Sequence, residues 1–329
     1  MTKSVMTRRE FTAVGVVGTL GVSAQWARAS APASYPKTLK IVVPYSTGGG
    51  TDIIARHLAE RLRQATGVMT LVDNKPGANG VIGTDLVAKS TPDGSTLVLV
   101  VNSHLLNPVV MSKLPFDTFK DLKGVTQVAV SPLVLVTGIK NEGGNASEFL
   151  SAVRKNKTPV SYGSSENMTR LVGTMFVKAS QLDAVHIPYK GGGPLMTDVA
   201  AGITMLGVTS VLSAKQLIDS GRIKALAITG TERSRILSDT PTFREMGMDG
   251  FDKVTTSYSL YGPAAIPAET LQALQAAVAE VLASADMRAI LAAQAAIPVG
   301  NPVSEFQKQI PADFEFWKKL ALENSLERE

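Results

Sequence analysis

The stretch Ile41-Val42-Val43-Pro44-Tyr45-Ser46-Thr47-Gly48-Gly49-Gly50-Thr51-Asp52 decides the fold. It joins a run of buried-type residues to an amphipathic segment, residues 51–65, in which Ile54, Leu58 and Leu62 recur on one helical face. A strand passing through a glycine-rich turn into a helix is the first half of a parallel βαβ unit. The turn itself suits an anion. The first amides of a helix lack intrahelical partners, and the helix dipole adds positive potential there. Glycines let that backbone approach a ligand. Ser46, Thr47 and Thr51 add hydroxyls, and Asp52 caps or orients the loop. The turn lacks Gly-Lys-Ser/Thr and the spacing G-x-G-x-x-G, so it is neither a P-loop nor a dinucleotide fingerprint. On its own chemistry it reads equally well as an unliganded tight turn.

The same alternation continues along the chain. Strands are expected at 69–73, 96–101, 160–163, 184–188, 205–209 and 223–229. Helices are expected at 83–89, 147–155, 169–180, 194–201, 213–220, 243–246, 268–283 and 304–326. Ala146 or Ser147 stands at the cap of the second of these helices, and Pro311 should break or kink the last. Two long apolar segments, 125–137 (broken by Ser131-Pro132) and 255–262, read as crossovers. The fold class is therefore α/β, with two doubly wound lobes around a ligand cleft. Lobe one comprises residues 30–129 and 257–329, and lobe two residues 130–256.

Two further strand-to-helix turns share the first one's design. One is Ser161-Tyr162-Gly163-Ser164-Ser165-Glu166-Asn167-Met168-Thr169. The other is Pro188-Tyr189-Lys190-Gly191-Gly192-Gly193-Pro194. In doubly wound sheets such turns gather at the carboxyl ends of strands, where ligands bind. Candidate ligand contacts are Tyr45, Ser46, Thr47, Gly48, Gly49 and Thr51 from the first turn. Ser164, Ser165, Thr169, Arg170 and Tyr189 come from the other two. Asn102 and His104 follow a strand of lobe one; His104 either lines the cleft or caps a loop. Arg170 pairs with a second ligand carboxylate or, as the preferred reading, with Glu166 on an exposed helix face. Glu166 itself reads as a solvated loop carboxylate.

The 329 residues suffice for two domains with cores of their own. The formal charge is +5, but residues 1–29 hold four basic residues and one acidic; the remainder has 29 and 27. Such balance gives no reason to expect nucleic acid. With no cysteine and three histidines, thiolate chemistry is excluded and neither a metal site nor a cofactor is expected. No G-x-S-x-G elbow is present. Residues 1–29 read as a signal peptide: Thr7-Arg8-Arg9-Glu10-Phe11-Thr12 is a twin-arginine pattern, Ala13 to Val22 is apolar, and Ala27-Arg28-Ala29 offers cleavage after Ala29. The mature protein is expected in the periplasm.

Further runs extend the pattern: Tyr35-Pro36, Asn74-Lys75-Pro76-Gly77-Ala78, Pro92-Asp93-Gly94, Asn107-Pro108, Leu114-Pro115-Phe116-Asp117 and Pro241-Thr242-Phe243. In this order, with the glycine-rich turns, the chain resembles the Bug-type receptors, the extracytoplasmic solute-binding proteins of tripartite tricarboxylate transporters. The resemblance runs from about Tyr35 to the C-terminal helix. It implies two lobes joined by two strands and a carboxylate held by backbone amides and water. Those roles fall on Ser46, Thr47, Gly48 and Gly49 in lobe one, and on Ser164, Ser165 and Thr169 in lobe two. It implies a small carboxylate ligand (possible classes are dicarboxylates, aromatic carboxylates and amino-acid-like molecules), a membrane permease as partner, a monomer and no enzymatic activity. Alternative readings are a sensor presenting its ligand to a signalling receptor and a periplasmic hydrolase of an anionic substrate. The chain departs from the family pattern at Glu166, where relatives carry glycine, at Arg170, near a histidine position, and at Thr204, where relatives often carry aspartate.

Overall fold

A computed structural model describes residues 35–326 and residue 328. The signal peptide reading lies outside the described residues. The first lobe is built on a parallel core. Strand β1 (Thr38–Val43) pairs with β2 (Met69–Asn74) and with β3 (Thr96–Val101). Between them run α1 (Gly50–Thr66) and α2 (Val81–Ala88). Every side chain from Ile41 to Val43 is fully buried, as a strand covered on both faces requires. Ile54, Leu58 and Leu62 seal α1 onto one face of the sheet.

The second lobe repeats this plan. Its strands are β5 (Val160–Ser164), β6 (Ala184–Pro188), β7 (Leu206–Ser210) and β8 (Ile223–Ile228). Strand β5 pairs in parallel with β6 and β7. Its helices are α4 (Ala146–Asn156), α5 (Asn167–Ala179), α6 (Gly192–Ala201) and α7 (Val211–Asp219).

Two strands join the lobes. Strand β4 (Leu122–Gly138) runs antiparallel to β9 (Thr255–Pro263) from Leu122 to Pro132, then pairs with β7 and β8 from Leu133 onward. Ser131-Pro132 was expected to interrupt this segment. The strand is continuous, and Pro132 lies where it changes sheets. There a missing ladder donor is tolerated, because the pairing partner is changing in any case.

Other expectations are corrected at element ends. Asn145, not Ala146 or Ser147, caps α4; its side chain accepts from the Glu148 amide at 3.0 Å. Residues 244–246 form a single 3-10 turn. The segment Asn102–His104 enters a helix, α3 (Ser103–Val110), that Pro108 concealed in the sequence. After β9 come α8 (Ala268–Ala283), α9 (Ala285–Ala292) and a two-residue strand, β10 (Ile297–Pro298), that pairs with β4. The last helix, α10 (Val303–Glu323), continues through Pro311. Pro311 is exposed, so the carbonyl it leaves unpaired faces water and the break does not occur. Phe306 near the start of α10 packs with Val98, Val100 and Tyr261 of lobe one. Trp317 and Ala321 near its end join Phe176 and Phe243 of lobe two.

Candidate functional site

The β1–α1 turn meets lobe two directly. The Ser46 amide and hydroxyl both donate to the Lys190 carbonyl, at 3.1 and 3.2 Å. The Gly50 amide donates to Ser213 Oγ at 2.7 Å. These contacts need glycine. A Cβ on Gly50 would lie 2.5 Å from Ser210 Oγ and 2.6 Å from Tyr258 Oη; one on Gly193 would lie 2.5 Å from the Thr47 carbonyl oxygen. The lobes are closed on each other.

Beneath this contact lies a small cavity. It is lined by Tyr45, Gly49, Gly50 and Thr51 from the first turn, and by Ser165 and Glu166 from the second. Gly191 and Gly192 come from the third, and Thr209, Ser210 and Ser213 from the β7–α7 turn. Val101, Thr256 and Tyr258 complete the wall. The cavity has about 330 Å³ of atom-free space, its mouth included. Four helix N-termini, those of α1, α5, α6 and α7, converge on this one space. Their dipoles, with the amides that remain unbonded at the ends of α1, α6 and α7, make it positive without a cationic side chain.

Supporting bonds hold the turns in place. Asp52 points away from the cavity and braces its own loop. It accepts from the Gly48 amide at 3.0 Å, from Asn74 Nδ2 at 3.0 Å, and from the Arg56 guanidinium at 2.9 to 3.0 Å. Burial pushes its carboxyl up, but these hydrogen bonds outweigh it and hold the group below the usual range. Asn74 Nδ2 also reaches the Tyr45 carbonyl at 3.1 Å. The Tyr45 and Tyr258 phenols are both raised by burial and stay neutral.

Of the residues expected to bind ligand, Tyr45, Gly49, Thr51 and Ser165 line the cavity. Thr47 and Gly48 are exposed and are not part of the cavity wall. The others serve the frame. Ser164 Oγ pairs with His186 Nε2 at 2.8 Å. Thr169 Oγ1 accepts from the Ser165 and Glu166 amides at 3.0 and 3.2 Å and closes the start of α5. Tyr189 Oη donates to Asp198 at 2.8 Å and pairs with Thr204 at 2.5 Å, so it faces lobe two. Arg170 is half-buried on α5 and is not part of the cavity wall. Asn102 clamps β9, donating to the Thr255 carbonyl and accepting from the Ser257 amide.

Two readings are corrected by burial. His104 does not reach the cavity. It is 2% exposed, stacked on Phe116 and tilted against Tyr261 in a separate pocket behind Val101, and neither ring nitrogen has a hydrogen-bond partner among the described residues. Burial lowers its pKa to about 4. Glu166 is not solvated. It is 9% exposed and forms the α5 cap. Its carboxyl accepts from the Ser165 hydroxyl and the Thr169 amide, and burial raises its pKa to about 7 despite both bonds.

The sequence reading missed Thr209, Ser210 and Ser213. The available signal was a fourth strand-to-helix turn, with hydroxyl residues flanking the expected boundary of α7. Ser103 was missed as well; its Oγ accepts from the Met168 amide at 2.9 Å and ties α3 to α5.

A closed pair of α/β lobes, crossed by two strands and enclosing a polar cavity, defines a solute-binding protein of the periplasmic-binding type. Comparisons place it further. The family model for the tripartite tricarboxylate transporter family receptor matches residues 54–325, and the chain belongs to that family. Protein BugT of Bordetella pertussis is 29% identical over 316 residues, 94% of this chain and 97% of BugT. The periplasmic binding protein BugD superposes with a TM-score of 0.85 at 28% identity, over 90% of this chain and 100% of that one. Rpa4515 of R. palustris, solved with adipate, gives a TM-score of 0.84 at 27% identity, over 89% and 98%.

Proposed function

We propose that the protein is a periplasmic receptor that captures a small carboxylate in the interlobe cavity and delivers it to the permease of a tripartite transporter. The observation that carries this is the convergence of four helix N-termini on one closed cavity with no lysine, arginine or histidine among the described residues of its wall. Backbone amides can hold a carboxylate there with little reorganisation, since the turns are already braced. Adipate in Rpa4515 supports the ligand class. The binding contacts are Tyr45, Gly49, Gly50, Thr51, Ser165, Gly192, Ser210 and Ser213. Residues 30–129 with 257–329, and residues 130–256, act as the two jaws.

The arrangement gives no reason to assign catalysis. Ser165 bonds to Glu166, and Ser164, the serine that does meet a histidine, lies off the cavity wall. Delivery is assigned to a permease because the family is that of transporter receptors. The test is thermal denaturation of the mature protein against a panel of organic acids, followed by calorimetry. A narrow set of carboxylates raises Tm, because a ligand bound only to the native state stabilises it. No shift across the panel contradicts the proposal. Consumption of the best ligand in a turnover assay would show an enzyme instead.

A further inference from the structure

The cavity's four helix ends are not equivalent. The N-cap residues of α1, α6 and α7 make no side-chain cap, and of their amides Gly50 alone is seen bonded to a side chain, Ser213 Oγ. The α5 end is filled from within. The Thr169 amide is taken by Glu166 and the Met168 amide by Ser103 Oγ. A ligand carboxylate approaching α5 would find its donors engaged and a buried carboxyl in its path. Two carboxyl groups at close range cannot both ionise without a large penalty. The two ends of the cavity therefore ask for different chemistry.

We propose that Glu166 sets the ligand class, and that the cavity takes a carboxylate that also carries an ammonium group, the ammonium lying against Glu166. The inference rests on the receptor reading above and narrows it. The carboxylate end meets the amides of α1, α6 and α7. The Glu166 end holds an acidic side chain 9% exposed, and no Lys, Arg or His in the cavity wall offsets it. Without an opposite charge such a carboxylate is costly to bury even with two hydrogen bonds, and the upward shift of its pKa to about 7 reflects that cost. An ammonium supplies the missing charge and three donors at once. A zwitterion adds no net charge to the closed cavity, whereas a dicarboxylate adds two negative charges beside the Glu166 carboxyl. A hydroxyl in place of the ammonium would donate a bond but leave the charge unbalanced.

Calorimetry on the mature protein with three matched series decides this. The series are amino acids (both α- and ω-), dicarboxylates and simple monocarboxylates of equal chain length. The best amino acid should bind at least about tenfold more tightly than the dicarboxylate of its length, a modest value for a buried charge pair. Glu166→Gln keeps an acceptor for the Thr169 amide and should erase that preference. The wild-type ranking needs no variant and stands even if Glu166→Gln folds poorly. Dicarboxylates binding as tightly as amino acids would overturn the inference while leaving the receptor reading intact. So would an undiminished amino-acid preference in Glu166→Gln. If no carboxylate of any series binds, the receptor reading fails and this inference with it.

Discussion

Two buried titratable residues give the protein opposite responses to pH. Glu166 has a folded pKa near 7, above its reference value of 4.5. Folding therefore favours its protonated form. Its contribution is complete below about pH 4.5 and is lost as pH rises through about 7. Glu166→Gln should gain on wild type across that window and hold a constant advantage above it, read by urea denaturation at several pH values. His104 behaves in reverse. Its folded pKa of about 4 lies below 6.5, so the neutral ring is favoured. Stability is retained above pH 6.5 and falls as pH drops through about 4. His104→Gln should flatten that acid limb; an unchanged slope would contradict the burial of the ring. Neither residue's environment was legible in the sequence. Glu166 follows two serines in a turn, which reads as solvated, and only the tertiary fold, in which it shares the cavity wall with Tyr45 and Tyr258, buries it. His104 looked like a loop residue because Pro108 hid the helix it begins. Ser164 and Thr169 were of the right chemical type for a ligand but satisfy neighbouring groups.

At the scale of elements, the turns were legible because their cause is local. An apolar run, a glycine or hydroxyl cluster and an amphipathic segment suffice to mark a strand-to-helix turn. What stayed hidden was which turns meet, since contact between residues as far apart as Gly50 and Ser213 is a tertiary fact. The Gly50 contact yields a prediction. Gly50→Ala drives a methyl into Ser210 Oγ and Tyr258 Oη, and overpacking of this kind costs about 1–3 kcal/mol. The Ser210 clash exists only when the lobes close, so it should weaken ligand binding by roughly 10- to 100-fold, whereas Tyr258 belongs to the same lobe as Gly50 and its clash is present throughout. The Tm of the unliganded protein should fall as well, through the Tyr258 clash. An affinity unchanged beside a lowered Tm would contradict the contact between Gly50 and Ser210 across the lobes. Helix α10 provides a second case. Pro311 interrupts no contact that an alanine could not make, and proline is about 3 kcal/mol less favourable than alanine inside a helix. Pro311→Ala should raise stability by about 2 kcal/mol in denaturant titration, allowing for the looser unfolded chain. The expected break failed because the position is exposed, which periodicity alone could not reveal.

The whole molecule is a clamp whose jaws share two strands and one long helix. The two crossovers were readable as long apolar segments that fit neither jaw alone. The path of α10 was not, because its apolar residues give no sign that Phe306 serves one core and Trp317 the other. That bridging helix, with the Ser103–Met168 bond, couples the jaws at the rear while the glycine turns meet at the front. A crystal structure of the protein with a carboxylate that raises its Tm tests the central claim most directly. The account predicts the carboxylate within hydrogen-bond reach of the turns that begin α1, α6 and α7, enclosed between the closed lobes. A carboxylate bound on an outer surface, with those turns empty, would contradict it.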